Sequence, residues 1–433
     1  DANTNVLITD GVNVIENSAS SCGGGIYSKG TLSLNGAKVN QNIAGSGGGI
    51  YIYGGKVFIY GNTMIGEDDS AYSEENKLAT SSSYGNKATS FCGGIYNYSG
   101  LLAIGYSSYT SETDNTPAEF TGKICRNYAG AVNGGITSRA TTVIGSGTIS
   151  YNNGSSYGGG VYVCNISGST FIMNGGSIEH NNAPRGAGLY ITENGNATIN
   201  GGSISYNTAT NSSYGGGGIY LYKSSSYTAT LNIYGGTISN NTAASGNGGA
   251  IYAINGCSFN MKGSAYIPYG VEGVTGAGKN DLYLTDGMTV NISGQLTPPD
   301  ACTDGIVAAI QPETYTAGTS LLTLASSPDP TTTLEAEAGK FAVVPSGSTS
   351  EWAVSEEGKL VSGIPASSAA SAISSLTTSG SVTIYGSVST DQLQAIAAAI
   401  KALPSDVNVY LDLSQTSLTE IPDNAFKDCA RLT

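Results

Sequence analysis

Charged side chains are scarce: Lys and Arg number 17 and Asp and Glu 31 in 433 residues, 11% of the chain, where ordinary soluble domains carry about 25%. So few basic residues leave no cationic footprint of the kind phosphate binding requires, which excludes a nucleic-acid partner. No run of eighteen apolar residues occurs, so no segment reads as a membrane-spanning helix. Proline is held to 12 residues beside 62 glycines, and neither a collagen repeat nor a proline-rich linker has that ratio. Asp1 opens the chain without the charged and apolar regions of a signal peptide, from which a processed or trimmed start is expected. The seven cysteines, an odd number scattered from Cys22 to Cys429, lack the spacings of zinc sites or a disulfide framework. They read as free, buried, small hydrophobes. What is present, 28 tyrosines and 39% hydrophobic residues, excludes disorder.

Three motif columns recur in fixed order up to about residue 294. The first, Gly-Gly-x-apolar-Tyr, gives Ile26-Tyr27, Ile50-Tyr51, Ile95-Tyr96, Val161-Tyr162, Leu189-Tyr190, Ile219-Tyr220 and Ile251-Tyr252, with degenerate copies at Ile136-Thr137 and Leu282-Tyr283. The second, apolar-x-apolar-x-Gly, ends at Gly36, Gly61, Gly105, Gly145, Gly175, Gly201, Gly235, Gly263 and Gly294. The third, apolar-x-x-Asn with alanine usually two residues on, runs Val14 to Asn17, Val39 to Asn42, Ile124 to Asn127, Ile149 to Asn152, Ile178 to Asn181, Ile204 to Asn207 and Ile238 to Asn241, with Ser83 to Asn86 as a weaker copy. Alternation with period two means strand. Three short strands in a shortest repeat of 25 residues, with glycine at the corners, close into one coil whose strands stack in parallel on the next. The fold class expected is therefore all-β, a right-handed parallel β-helix of about nine coils over residues 1–294. Stacked asparagines at one corner can chain their amides along the axis.

The order apolar-x-x-Asn-x-Ala and then Gly-Gly-x-Ile resembles the repeats of the polymorphic outer-membrane proteins, bacterial surface β-helices, over most of residues 12–254. Ile or Val stands where that family favours Phe. Further on, Leu411, Leu413, Thr416, Leu418, Ile421-Pro422, Ala425-Phe426, Cys429 and Leu432 resemble one leucine-rich repeat of the BspA-like bacterial surface type. Such a repeat cannot bury its face without neighbours, so the natural protein is expected to continue past Thr433. Together the resemblances imply a secreted or cell-surface, adhesin-like protein.

Between these regions, residues 295–363 are expected to form a β-rich capping domain of short antiparallel strands, Gly305 to Ile310, Ser320 to Leu324, Phe341 to Val344 and Trp352 to Val354. Residues 364–433 read as an α/β cap and leucine-rich-repeat start. Within them, Pro365 to Ser379 is a linker or weak helix, Val382 to Tyr385 a strand, and Ser389 with Gln392 a capping box. The helix that follows carries an apolar stripe of Leu393, Ile396, Ala397 and Ile400.

Two surfaces are candidate ligand sites. With Ile50 and Ile52 turned inward, the alternation points Tyr51 and Tyr53 out, and likewise Tyr27, Tyr96, Tyr98, Tyr162, Tyr190, Tyr220, Tyr222, Tyr252 and Tyr283. The resulting ladder is either a set of rings that stack and shield the sheet or an aromatic platform for sugar or protein. Two insertions, residues 62–82 and 105–122, lie between the second and third columns of successive coils and are expected to emerge at one corner as a single lobe. They hold Glu67, Asp68, Asp69, Glu74, Glu75, Glu112, Asp114 and Glu119 against Lys77 and Lys87. Solvated acidic loops are one reading; a weak calcium site is the other, with oxygen ligands present but no regular Asp-x-Asp-x-Asp-Gly spacing.

Catalytic groups are sparse. Glycoside hydrolysis needs two carboxylates at a set separation, and the coil faces offer one local cluster, Glu179, His180, Arg185 and Glu193. His180, the sole histidine, reads as a turn residue. No nucleophile elbow, P-loop or dinucleotide fingerprint is present. The function expected is a non-catalytic, monomeric, extracellular or cell-surface module that binds host protein or carbohydrate and needs no cofactor. The alternatives are a β-helix polysaccharide lyase or glycoside hydrolase, and a passive spacer.

Overall fold

Each short alternating segment pairs in parallel with its counterpart one repeat later, and three sheets result. The computed structural model describes residues 4–224, 226–346, 352–386, 388–416 and 418–433, and Asp1 lies outside them. Strand makes up 45% of the chain and helix 7%. That helix content is far below the roughly one third usual in globular domains. The largest sheet, of 20 strands, carries the first two motif columns; an eight-stranded and a seven-stranded sheet carry the two halves of the third. Register is kept residue for residue. Ile26, Ile50, Ile95, Ile136, Val161, Leu189, Ile219, Ile251, Leu282 and Ile310 form one file of paired positions. From Ile50 onward every member of that file is fully buried. Burying a side chain of this size contributes roughly 1.5–3 kcal/mol, and aliphatic stacked on aliphatic explains why the position tolerates Ile, Leu or Val.

The expected asparagine chain runs through nine residues. Each Nδ2 donates to the Oδ1 of the next, Asn17 to Asn42, Asn86, Asn127, Asn152, Asn181, Asn207, Asn241 and Asn280, at 2.9–3.1 Å. The same Nδ2 also donates to the carbonyl of the apolar residue one repeat back, as Asn181 does to Ile149 at 2.9 Å. The backbone N–H donates to the same Oδ1 as the amide, as in Asn152 to Asn181 at 3.0 Å. Full satisfaction is what lets these amides lie buried. The turn is sharp, and the residue before the asparagine takes positive φ at Glu16, Gln41, Arg126, Tyr151, His180, Tyr206 and Asn240. This conformation is unfavourable for side chains other than Gly.

Parallel pairing does not stop at Gly294. Ala308–Pro312 pairs in parallel with Leu282–Leu284, Leu322–Leu324 with Val290–Leu296, and Phe341–Val343 with Ala308–Pro312. The antiparallel reading of the segments around Ile310, Leu324 and Phe341 is therefore corrected; it holds for Trp352–Val354, which pairs antiparallel with both Phe341–Val343 and Leu360–Ser362. No Gly-Gly precedes Ile310 or Val343 as it precedes the file in the repeats, which hid the continuation. One hydrophobic core extends from Leu32 to Leu360. Within it Asp281 occupies the place of a motif glycine, wholly buried, accepting from the amides of Gly249 at 2.7 Å and Gly248 at 3.3 Å. Burial pushes its carboxyl up to about 6 against those hydrogen bonds.

A second core joins Ala369, Ile373, Ile384, Ile396, Ile400 and Val409. It lies among the strands Gly380–Gly386 and Val409–Thr416, which are parallel, and the helices Ala369–Ser374 and Thr390–Lys401. Ser389 Oγ accepts from Gln392 N at 3.2 Å while Gln392 Oε1 accepts from Ser389 N at 2.8 Å, the capping box expected.

Candidate binding surfaces

The tyrosines do lie on the outer side of the large sheet, but most are not open to solvent. Tyr190, Tyr220, Tyr252 and Tyr283 stack at centroid spacings of 5.1, 4.8 and 4.7 Å and form a closed cluster flanked by Tyr157, Tyr162 and Tyr222. Tyr220 is fully buried, and Tyr51 and Tyr96 are buried as well. Burial raises the hydroxyl pKa of Tyr51, Tyr162, Tyr190 and Tyr220. Of the eleven rings that the alternation turns outward, the buried ones follow the first of the two readings and shield the sheet and one another, which leaves only the exposed ones to meet a ligand. Thr137 interrupts the file between Tyr96 and Tyr162. What stays open is a row before that interruption. Tyr27 and Tyr53 are each 47% exposed and Tyr98 38%. Tyr53 stacks on Tyr27 at 6.2 Å and on Tyr98 at 5.6 Å. Lys29 lies over Tyr27 and Tyr53, and Arg139 over Tyr98 at 5.1 Å. Period two gave the direction of these side chains; it carried no information about what covers them.

The acidic insertions 62–82 and 105–122 meet at their roots, where the Glu119 carbonyl accepts from the Gly61 amide and the Thr63 carbonyl from the Lys123 amide, and beyond the roots they are held separately. Met64–Gly66 pairs with Lys38–Asn40 and with Lys123–Cys125, so Ile65 holds the apolar place of the third column. Asn86 supplies its asparagine. The first insertion thus interrupts the third column itself, between Gly66 and Gly85, and Ser83 is not its apolar member. The second leaves the large sheet after Gly105 as the hairpin Tyr106–Ser111 with Asp114–Pro117. Among the described residues, no hydrogen bond, ion pair or ring contact joins 67–84 to 106–117.

Each insertion is instead docked by its own contacts. Arg126, 0% exposed, donates to the Asn76 carbonyl at 2.6 Å and Ser83 Oγ at 2.6 Å. It also lies 3.5 Å from Glu67 and 3.5 Å from the centre of the Tyr72 ring. Lys123 pairs with buried Asp69 and lies 3.8 Å from Asp68; Lys77 pairs with Glu74. Four of the acidic residues are thus neutralised by cations, while Glu75 and Asp114 are exposed. In the hairpin, Tyr106 and Tyr109 pack on Phe58, Ala103 and Val143. Glu112 accepts from Tyr109 and, at 2.7 Å, from Asn174; Glu119 stays exposed. Replacing Arg126 with Ala should free the first insertion alone, because a buried cation that satisfies several carbonyls is costly to remove. Limited proteolysis read by mass spectrometry should show new cuts within 67–84 and none within 106–117. An unchanged digest would refute the pinning role.

His180 lies on a positive-φ turn rather than in a strand, stacked between Tyr151 at 4.9 Å and Tyr206 at 5.0 Å. Arg185 lies on Tyr214 at 4.0 Å and, among the described residues, makes no ion pair with Glu179 or Glu193. The cysteines are free in the structure. Cys92, Cys125 and Cys164 are buried, with burial pushing each thiol up to about 12. Arg126 and Lys123 were missed as site-forming residues, although a cation in the turn beside an acidic insertion was a usable signal. Comparison with family models, with curated proteins and with solved structures finds no match to this chain.

Proposed function

We propose that the parallel strands from Asn5–Thr9 through Phe341–Val343 form a right-handed parallel β-helix like that of polymorphic-outer-membrane-protein repeats, followed by a cap and the start of a BspA-like leucine-rich repeat. The three-sheet parallel register supports the β-helix. The strand Val409–Thr416, whose Leu411 and Leu413 pack on the second core, supports the leucine-rich repeat. The function that follows is a non-catalytic, extracellular or cell-surface module binding host protein or glycan. The observation that carries it is the open row Tyr27, Tyr53 and Tyr98 beside Lys29 and Arg139. Aromatic rings with adjoining cations are the residue types that dominate binding hot spots, and contiguous exposed aromatic surface on a soluble protein marks an interaction site. Screening the full chain against glycans and matrix proteins tests this. Tyr53→Ala with Tyr98→Ala should weaken the bound ligand by about tenfold or more. A chain that binds nothing in the screen leaves the passive spacer standing. Turnover of a polysaccharide would favour the lyase or hydrolase alternative.

A further inference from the structure

On residues not shared with the tyrosine row, the first insertion and the turns of the first two repeats flank an open cleft of about 460 Å³. Its size falls in the range of small-molecule sites, about 300–1,000 Å³. One wall is built by Glu16 and Gln41, the positive-φ residues of consecutive turns. They are fixed there by the asparagine chain that begins at the next residue in each case, Asn17 and Asn42. The opposite wall is the insertion: Tyr72, Ser83 and Tyr84, with Glu67 at its root.

The lining has a definite chemistry. Arg126 lies wholly buried against one face of Tyr72, and Lys87 stands over Tyr84 at 5.1 Å. Both rings are only partly buried and both line the cleft. Around them stand two carboxamides, two carboxylates and serine hydroxyls, groups that can accept and donate to several hydroxyls of one ligand. Among the described residues that line the cleft there is no lysine or arginine; Arg126 behind the wall is already engaged by Glu67 and Ser83, so an anionic ligand would face Glu16 with no cation left to answer it. A wholly apolar ligand would leave these polar groups unpaired, at a cost comparable to lost hydrogen bonds. The ligand that matches is uncharged, rich in hydroxyls, and has an apolar face to lay on an aromatic ring.

We propose that this cleft is a binding site for a neutral pyranose oligosaccharide, with sugar rings against Tyr72 and Tyr84 and hydroxyls held by Glu16, Gln41 and Ser83. The site deepens the reading of the chain as a binding module, and it is separate from the tyrosine row. The test is calorimetric titration of the full chain with neutral di- and trisaccharides of glucose, galactose and mannose, beside uronic-acid disaccharides of matching linkage. At least one neutral sugar should bind and the uronic acids should not. Tyr84→Ala should weaken that binding about tenfold and Gln41→Ala severalfold, with thermal unfolding of both variants as the control for folding. Tyr53→Ala with Tyr98→Ala should leave it unchanged. No neutral sugar binding at millimolar concentration, equal binding of uronic acids, or indifference to both Tyr84→Ala and Gln41→Ala would overturn the site. If a ligand found in the wider screen is lost with the Tyr53 and Tyr98 substitutions but not with these, the cleft falls and the binding-module reading survives.

Discussion

Asn181→Ala should lower the stability of the chain by about 3 kcal/mol or more, and Asn181→Asp by still more at neutral pH. The side chain is 1% exposed and engages four groups. Its Nδ2 donates to Asn207 Oδ1 and to the Ile149 carbonyl, and its Oδ1 accepts from the amide and the backbone N–H of Asn152. Alanine leaves buried donors on one side and acceptors on the other, each costing about 1–3 kcal/mol. Aspartate sets an acceptor against two acceptors at about 3 Å and buries a charge, so its effect should shrink as acid protonates it. Urea unfolding measures both. The control is Asn200→Ala, whose exposed amide donates to Asn174 at 2.8 Å; its effect should stay within about 0.5 kcal/mol. A midpoint for Asn181→Ala close to that control would show that the chain of amides contributes little.

The second large effect is a fall in stability with rising pH, set by Asp281. Its ordinary value is 3.8 and in the folded chain it is raised to about 6. Below both values the folded and unfolded states are protonated alike. Between them the folded chain holds a proton that the unfolded chain has released, so stability drops as pH climbs and the loss is complete above about 6. About two pH units at 1.36 kcal/mol each give roughly 3 kcal/mol. Asp68 and Asp412, lowered chiefly by hydrogen bonds from Ser70 and Ser414, act in the opposite direction and below pH 4. Tyr269 and Tyr315 nearby titrate far higher, Tyr315 being pushed up to about 12 by burial. Thermal unfolding followed from pH 4 to 6.5 should show the fall in the wild type and a flatter profile in Asp281→Asn. Equal slopes in the two proteins would place the proton elsewhere.

Most of the parallel architecture was legible because each strand repeats a local pattern: aliphatic file, glycine corner and buried asparagine recur in fixed order, at spacings of 25 to 44 residues between asparagines. Legibility failed where a contact is set by distant chain. Ile65 and Asn86 belong to one turn, but about twenty residues stand between them, so Ser83 looked like the missing partner. The strand around Ile310 continues the file without a Gly-Gly corner to announce it. A second row of amides, Asn260 to Asn232 and Asn291 to Asn260 on the outer face of the large sheet, was not singled out; each lies alone in its strand, and only register brings them together. The candidate sites were less legible still. Alternation named the tyrosines and allowed their stacking, but not which rings it closes, Tyr190, Tyr220 and Tyr252, and which it leaves open, Tyr27, Tyr53 and Tyr98. A count of acidic residues could not show Arg126, Lys123 and Lys77 answering them.

The one-way course of the asparagine chain has a mechanical side. The amide-to-amide bonds donate one way along the succession of repeats, and the backbone bonds between repeats lie along the same axis but donate both ways. Tension between the two ends therefore loads these interfaces in series, and no interface shares its load with another. The repeats would come away singly, each releasing the stretch between neighbouring asparagines, from 25 residues between Asn127 and Asn152 to 44 between Asn42 and Asn86. At about 3.5 Å per extended residue, each rupture lengthens the tether by roughly 90 to 150 Å. A protein strung this way between a surface and a ligand yields in steps and absorbs work at each one, and its longest step is stored in the repeat that carries the acidic insertion pinned by Arg126.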